Sequence, residues 1–168
     1  MKDNENYWPD LWAFGIKRFK KPIGHPSYWF YFGLIVVGVG GIGVWKAVFC
    51  DQTFHAIASN LMTFFPAVAG ASAFEIVLSK DEETIPKSAR TATLLLGGLL
   101  CLAIIFIWSH DTRPEATFVG IVAALLSLGL WWIANAENNA LLDSRPGIGA
   151  FGGSSSKATK GNLGNMKN

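Results

Sequence analysis

SYWFYFGLIVVGVGGIGVW, residues 27–45, admits two readings, and the choice between them decides the fold. Its second half, Gly38-Val39-Gly40-Gly41-Ile42-Gly43, matches G-x-G-x-x-G, the phosphate-binding turn of dinucleotide enzymes. That turn needs a strand before it, a helix after it and an acid about 20 residues further on. At that distance past Gly43 stand Met62, Thr63 and Phe64, none of them acidic. The stretch as a whole is an uncharged apolar run, and about 20 such residues cross the hydrocarbon core of a bilayer as a helix. The glycines then make the helix thin, as close helix–helix approach in lipid requires, or mark a flexible point.

Three more runs of this kind follow. Four spans are predicted, at about 27–49, 53–79, 91–109 and 116–136, interrupted inside only by Lys46, His55 and Glu75. The 168 residues are 51% hydrophobic and only 15% charged, and the mean hydropathy is +0.31. Soluble domains carry about 25% charged residues. The runs are continuous rather than alternating, which favours helices over barrel strands. They also leave no polar face for water, which argues against a soluble bundle. The expected fold is all-α: an integral membrane bundle of four transmembrane helices over 27–136, with a leader at 1–26 and a basic, flexible tail at 137–168.

Twelve of the fourteen basic residues fall on one side of these spans. Lys2, Lys17, Arg18, Lys20 and Lys21 precede the first, Lys80, Lys87 and Arg90 join the second to the third, and Arg145, Lys157, Lys160 and Lys167 follow the fourth. Lys46 and Arg113 are left for the other side. Lys and Arg accumulate in cytoplasmic loops, so both termini are expected in the cytoplasm, with the chain in the cell inner membrane. Trp29, Trp45, Trp108, Trp131 and Trp132 lie near span ends, where aromatic side chains anchor helices at headgroup depth.

The leader segment 8–20, WPDLWAFGIKRFK, is amphipathic. At 100° per residue Trp8, Leu11, Trp12, Ile16 and Phe19 share a face, Asp10, Ala13, Lys17 and Lys20 lie opposite, and Phe14 breaks the pattern. Aromatic residues on one side and Lys on the other suit a helix lying in the membrane interface, with Trp8, Trp12 and Phe19 as anchors. A disordered basic leader and a docking helix for a soluble cytoplasmic partner are the other readings. The tail after Asp143 is rich in Gly, Ser, Asn and Lys and cannot form a core of its own. With a net charge of only +2, no specific nucleic-acid partner is expected.

Candidate contact residues follow from spacing. Gly33, Gly38, Gly40 and Gly43 thin the first span. Ser59, Thr63, Ala67, Ala71 and Glu75 recur every four residues along the second and form one small stripe. Gly97-Gly98 and the Ala116, Gly120, Ala124 ladder read as packing in the third and fourth. Asn60 borders the stripe, and Pro66 frees the carbonyl of Met62 and invites a kink. Glu75 is the ionisable residue of that span. Such a residue is a candidate gating or ion contact by default, although it lies within reach of Lys80, Arg90 or headgroups. Asp51, His55, His110, Asp111 and Glu115 share the two short links without metal-ligand spacing, and Ser109-His110-Asp111 is too local for a relay triad. Cys50 and Cys101 are expected unpaired, Cys101 as a small apolar core residue. No cofactor motif and no catalytic set is present, so no enzyme is expected.

The architecture predicts a small non-enzymatic membrane subunit, homo-oligomeric or bound to a cytoplasmic partner. It would act as a sensor, anchor or permeabilising effector, as antiphage defence and immunity proteins do, by analogy of build alone. The alternative is a subunit of a small transporter or ion channel.

Overall fold

The computed structural model describes residues 7–50, 53–78, 85–110 and 112–143. Among them every regular element is helical. Helix α1 is Tyr7–Lys20, followed by a 3-10 turn at Lys21–Gly24. Helix α2, Pro26–Phe30, continues into a wider π-helical stretch over Tyr31–Val39. Helix α3 is Ile42–Phe49, α4 is Phe54–Leu78, α5 is Lys87–Ser109 and α6 is Pro114–Ala134, with a last 3-10 turn at Asn135–Glu137.

Three helices, α4, α5 and α6, are long and apolar enough to cross a membrane. At 1.5 Å per residue they measure from about 31 to about 37 Å, against a hydrocarbon core of about 30 Å. Helix α5 begins one turn earlier than the uncharged run suggests. Pro86, with an extended backbone, precedes it, and Lys87 to Arg90 form its first turn. Pro114 opens α6 with its fixed φ at a position that needs no amide donor. Pro66 does not interrupt α4, which runs through it as one element.

The first run is not a single straight span. Pro26–Val39 and Ile42–Phe49 meet at Gly40-Gly41 with a bend of 62°. The expected four-helix bundle is therefore three continuous helices and one bent pair, and the break falls at the glycines instead of at Pro66.

Helix α6 is the inner helix: half of its apolar window is buried, against 17% for α5. It packs most closely on α4. The buried face of α4 is Ala58, Leu61, Phe65, Ala69, Ser72 and Ile76, a three-and-four spacing that keeps one seam on its neighbour. Opposite it, Ala116, Gly120, Ala123 and Ala124 are buried, and a Cβ on Gly120 would come within 3.0 Å of Leu61. Large residues of α4 thus enter a small-residue groove on α6. Three buried hydroxyls are satisfied within their own helices: Ser72 donates to the Val68 carbonyl, Thr93 to Ala89 and Ser127 to Ala123. Thr117 donates across helices to the Phe54 carbonyl at 3.1 Å.

At one end of the bundle, aromatic rings close over α6. Trp131 and Trp132, expected as interfacial anchors, are buried instead. Tyr28 and Phe32 meet Trp132 edge-on at 4.8 and 5.1 Å, and Phe19 lies 5.9 Å from it. The Tyr28 hydroxyl donates to the Trp132 carbonyl at 2.8 Å, and the Trp132 indole donates to the Phe19 carbonyl at 3.0 Å. The cause is tertiary, since the start of the bent pair folds over the end of α6 and covers both indoles.

Candidate functional site

A crevice of about 360 Å³ separates the bent pair from α4. Gly40, Gly43 and Val44 line one wall and Asn60, Thr63, Ala67 and Ala71 the other, with Trp131 of α6 completing the lining. Three members of the four-residue stripe thus face the glycines of the first run across open space. Thr63, Ala67 and Ala71 are exposed, so the stripe is not the face by which α4 packs inside this chain. The 3.6-residue period explains this, because a strict four-residue repeat drifts around the helix and away from the buried seam.

The polar content of the crevice is small and specific. The Asn60 amide donates to the Ala56 carbonyl at 2.7 Å, and its Oδ1 turns toward Gly43, where a Cβ would sit 2.4 Å from it. Thr63 donates to the Asn60 carbonyl at 2.9 Å. Among the described residues no titratable side chain lines the space, and what they offer there is packing and hydrogen bonds. Glu75 lies outside the lining, exposed one turn beyond Ala71, with its charge in electrostatic range of Tyr28. Lys80, one of the two side chains expected within its reach, is outside the described residues. Ser59 and Pro66 are not part of the crevice, and Gly120 and Ala124 belong to the α4–α6 seam.

The bend beside the crevice has its own geometry. The Gly40 amide bonds to the Ile35 carbonyl at 2.9 Å and the Gly41 amide to the Val37 carbonyl at 3.1 Å. Trp45 folds back across the bend and donates its indole N–H to that same Val37 carbonyl at 2.8 Å. Its ring also stacks on Phe49 at 6.0 Å. A Cβ would approach the Val36 carbonyl oxygen to 2.4 Å at Gly40 and the Val37 oxygen to 2.5 Å at Gly41. At Gly38 the nearest atom would be 3.3 Å away, and at Gly33, Gly97 and Gly98 nothing lies within 4 Å. The last three, expected at helix contacts, have no close neighbour of that kind among the described residues.

Helix α1 carries three faces where the sequence suggests two. Leu11 and Phe14 pack against the core cluster, and Arg18 is 4% exposed. Trp8, Trp12, Ile16 and Phe19 remain exposed, and Lys17 and Lys20 project elsewhere. Phe14, which breaks the two-faced pattern, belongs to the docked face. Arg18 forms an ion pair with Glu137 at 2.7 Å and donates to the Ile133 carbonyl at 3.3 Å, with its guanidinium 4.8 Å from the Phe14 ring. The sequence hints at this pair only through an isolated acid just after the last apolar run and a basic leader.

The remaining anchors are dispersed. Trp108 is exposed, and Trp29, half exposed, donates to the Ile23 carbonyl at 3.1 Å. Near the start of the bent pair, the Ser27 hydroxyl and amide both donate to the Asp143 carboxylate. These bonds hold that carboxyl below the ordinary aspartate range. Cys50 and Cys101 are free and exposed, so Cys101 is not a core residue.

Among the described residues, no three of His, Cys, Asp or Glu are grouped to hold a metal ion. Ser109 donates to the Ile105 carbonyl and the His110 ring bonds to Phe106. Each is tied to its own helix, and Asp51 and Asp111 lie outside the described residues. No family model matches the chain, and no curated protein or solved structure shows significant similarity to it.

Proposed function

We propose that this chain is a non-enzymatic multi-pass membrane subunit that assembles through the crevice beside its bent first span. It acts as a membrane sensor, anchor or permeabilising effector of the antiphage-defence or immunity type. The observation that carries the membrane part is the exposed apolar belt. Leu94, Leu95, Leu99 and Leu102 on α5 and Phe118, Leu125 and Leu126 on α6 are all exposed. Soluble monomers rarely expose contiguous apolar patches beyond a few hundred Å². Assembly is supported by the open small-residue walls of the crevice, because tight packing is what associates helices in lipid.

The orientation follows from charge. Docking of α1 brings Lys17, Arg18, Lys20 and Lys21 to the end of the bundle where α5 begins with Lys87 and Arg90. In the proposal this end faces the cytoplasm, the exposed Trp8 and Trp12 enter the interface of the inner membrane, and both termini are cytoplasmic. A cytoplasmic partner would meet the basic face of α1.

A second reading, a subunit of a small transporter or channel, is favoured by one specific feature. Broken membrane helices are tolerated where they line a cavity, and they build ion and substrate sites there. Here the break sits beside Asn60.

Two measurements test the proposal. A periplasm-active reporter fused at Asn168 is expected to be silent, and one fused after Asp51 active; the reverse overturns the topology. In mild detergent the protein is expected as an oligomer that Ala67→Leu disrupts. A clean monomer with no partner recovered by crosslinking in cells overturns the assembly. Ion flux in proteoliposomes that is lost in Asn60→Leu or Glu75→Gln, with assembly intact, replaces the first reading by the second.

A further inference from the structure

From the geometry at Gly40-Gly41 we infer that the bend is a two-state hinge, latched by Trp45, which opens the outer half of the crevice when the first span straightens.

The bent form is built for glycine alone. Its Cβ distances of 2.4 and 2.5 Å to backbone oxygens at Gly40 and Gly41 exclude any other residue without movement. A regular helix has the opposite preference, favouring alanine over glycine by roughly fivefold per position. Two adjacent glycines therefore hold the bent form accessible and keep the straight form from dominating. The bend also carries a specific tie. The Val37 carbonyl accepts both the Gly41 amide and the Trp45 indole, and the indole bond spans the break. In a straight helix, residues 37 and 45 are two turns apart and that bond cannot form.

The consequence for the crevice follows from what each arm touches. The inner arm is fixed to α6 by the Tyr28–Trp132 hydrogen bond and by the packing of Phe32 on Trp132. The outer arm, α3, rests on α4, with Gly43 over Asn60 and Ala47 buried. A straight rod cannot keep both seats on the packed α4–α6 pair. The inner arm is tied to α6 by a hydrogen bond and ring contacts and the outer arm only by packing on α4, and in the proposal it is α3 that lifts and uncovers Asn60. In the bent form Gly43 of α3 covers Asn60, and in the straight form Asn60 faces the enlarged crevice. The hinge supplies the regulation of the crevice described under Proposed function and rests on that reading only for what opening admits.

The two native cysteines report this motion directly. Cys50 lies at the tip of α3 and Cys101 on α5, both free and exposed. Spin labels on both, in the full chain in lipid nanodiscs, give a distance distribution by pulsed electron resonance. The eight-residue α3 arm is about 12 Å long. A swing through the 62° bend displaces its tip by about 12 Å. The unmodified protein is expected to show one dominant distance. Trp45→Phe, which keeps a ring and removes the donor, is expected to add a second population shifted by up to that amount. Gly40→Ala with Gly41→Ala is expected to make the shifted population dominant. An unchanged single distance in Trp45→Phe overturns the hinge, even if the alanine variant does not fold. Oligomer mass and ion flux are read separately, so the hinge and the proposed function stand or fall independently.

Discussion

Removing either partner of the Arg18–Glu137 pair should loosen α1, and by unequal amounts. Arg18 is 4% exposed, whereas the Glu137 side chain is 32% exposed. Glu137→Gln keeps the shape and strips the charge, leaving a buried guanidinium with only the Ile133 carbonyl, the Phe14 ring and a neutral amide. Stranding a buried charge costs about 3 kcal/mol or more, roughly a 150-fold rise in the undocked population of α1. Arg18→Met keeps the apolar stem and strands only Glu137, which reaches water and still has the Lys21 ammonium at 3.6 Å. The loss is then the hydrogen bonds to Glu137 and to the Ile133 carbonyl, about 2 kcal/mol, or roughly thirtyfold. Combining Arg18→Met with Glu137→Leu should bring docking back toward or above the single Arg18→Met value, since an apolar replacement leaves no charge behind. Hydrogen exchange of the amides from Phe14 to Lys20 in the full-length protein reads the opening equilibrium. Equal loosening by both single substitutions would refute the reasoning, because it would mean that the guanidinium is hydrated rather than buried.

Three further outcomes are expected. Gly120→Ala should lower thermal stability by about 1–3 kcal/mol through overpacking on Leu61, while Gly97→Ala, with open space around it, should raise it by up to about 1 kcal/mol; identical melting shifts would remove the α4–α6 seam as the cause. The Asp143 carboxyl is held below its unfolded value by Ser27, so its contribution is complete above about pH 4 and is lost as pH falls through the lowered value. Exchange of the Ser27 amide should accelerate across that fall in the unmodified protein beyond the intrinsic trend and not in Asp143→Asn. A peptide of residues 8–20 should gain helicity and a blue-shifted Trp emission on anionic vesicles at low salt, and an unshifted spectrum there rejects the interfacial role of Trp8 and Trp12.

Composition and periodicity determine the all-helical class and the positions of α1, α4, α5 and α6. Long uncharged runs leave a helix as the way to satisfy the backbone away from water, although α5 starts one turn before its run. The amphipathic leader is legible for the same reason, since a 100° period is a property of the chain alone. Tertiary structure decides the rest. Five glycines between 33 and 43 mark a contact or a flexible point, but only the seats of Tyr28 on Trp132 and of Gly43 on Asn60 turn them into a bend at Gly40-Gly41. The stripe of Thr63, Ala67 and Ala71 is visible in the spacing, yet whether it packs or lines a crevice depends on where the bent pair lies. Trp131 and Trp132 have the signature of interfacial anchors and are buried because a segment about 100 residues away in sequence folds over them. Arg18 is one of several leader cations until Glu137, 119 residues on, is brought to 2.7 Å from it. Local propensity acts within a few turns, while burial and ion pairing depend on which distant segment arrives.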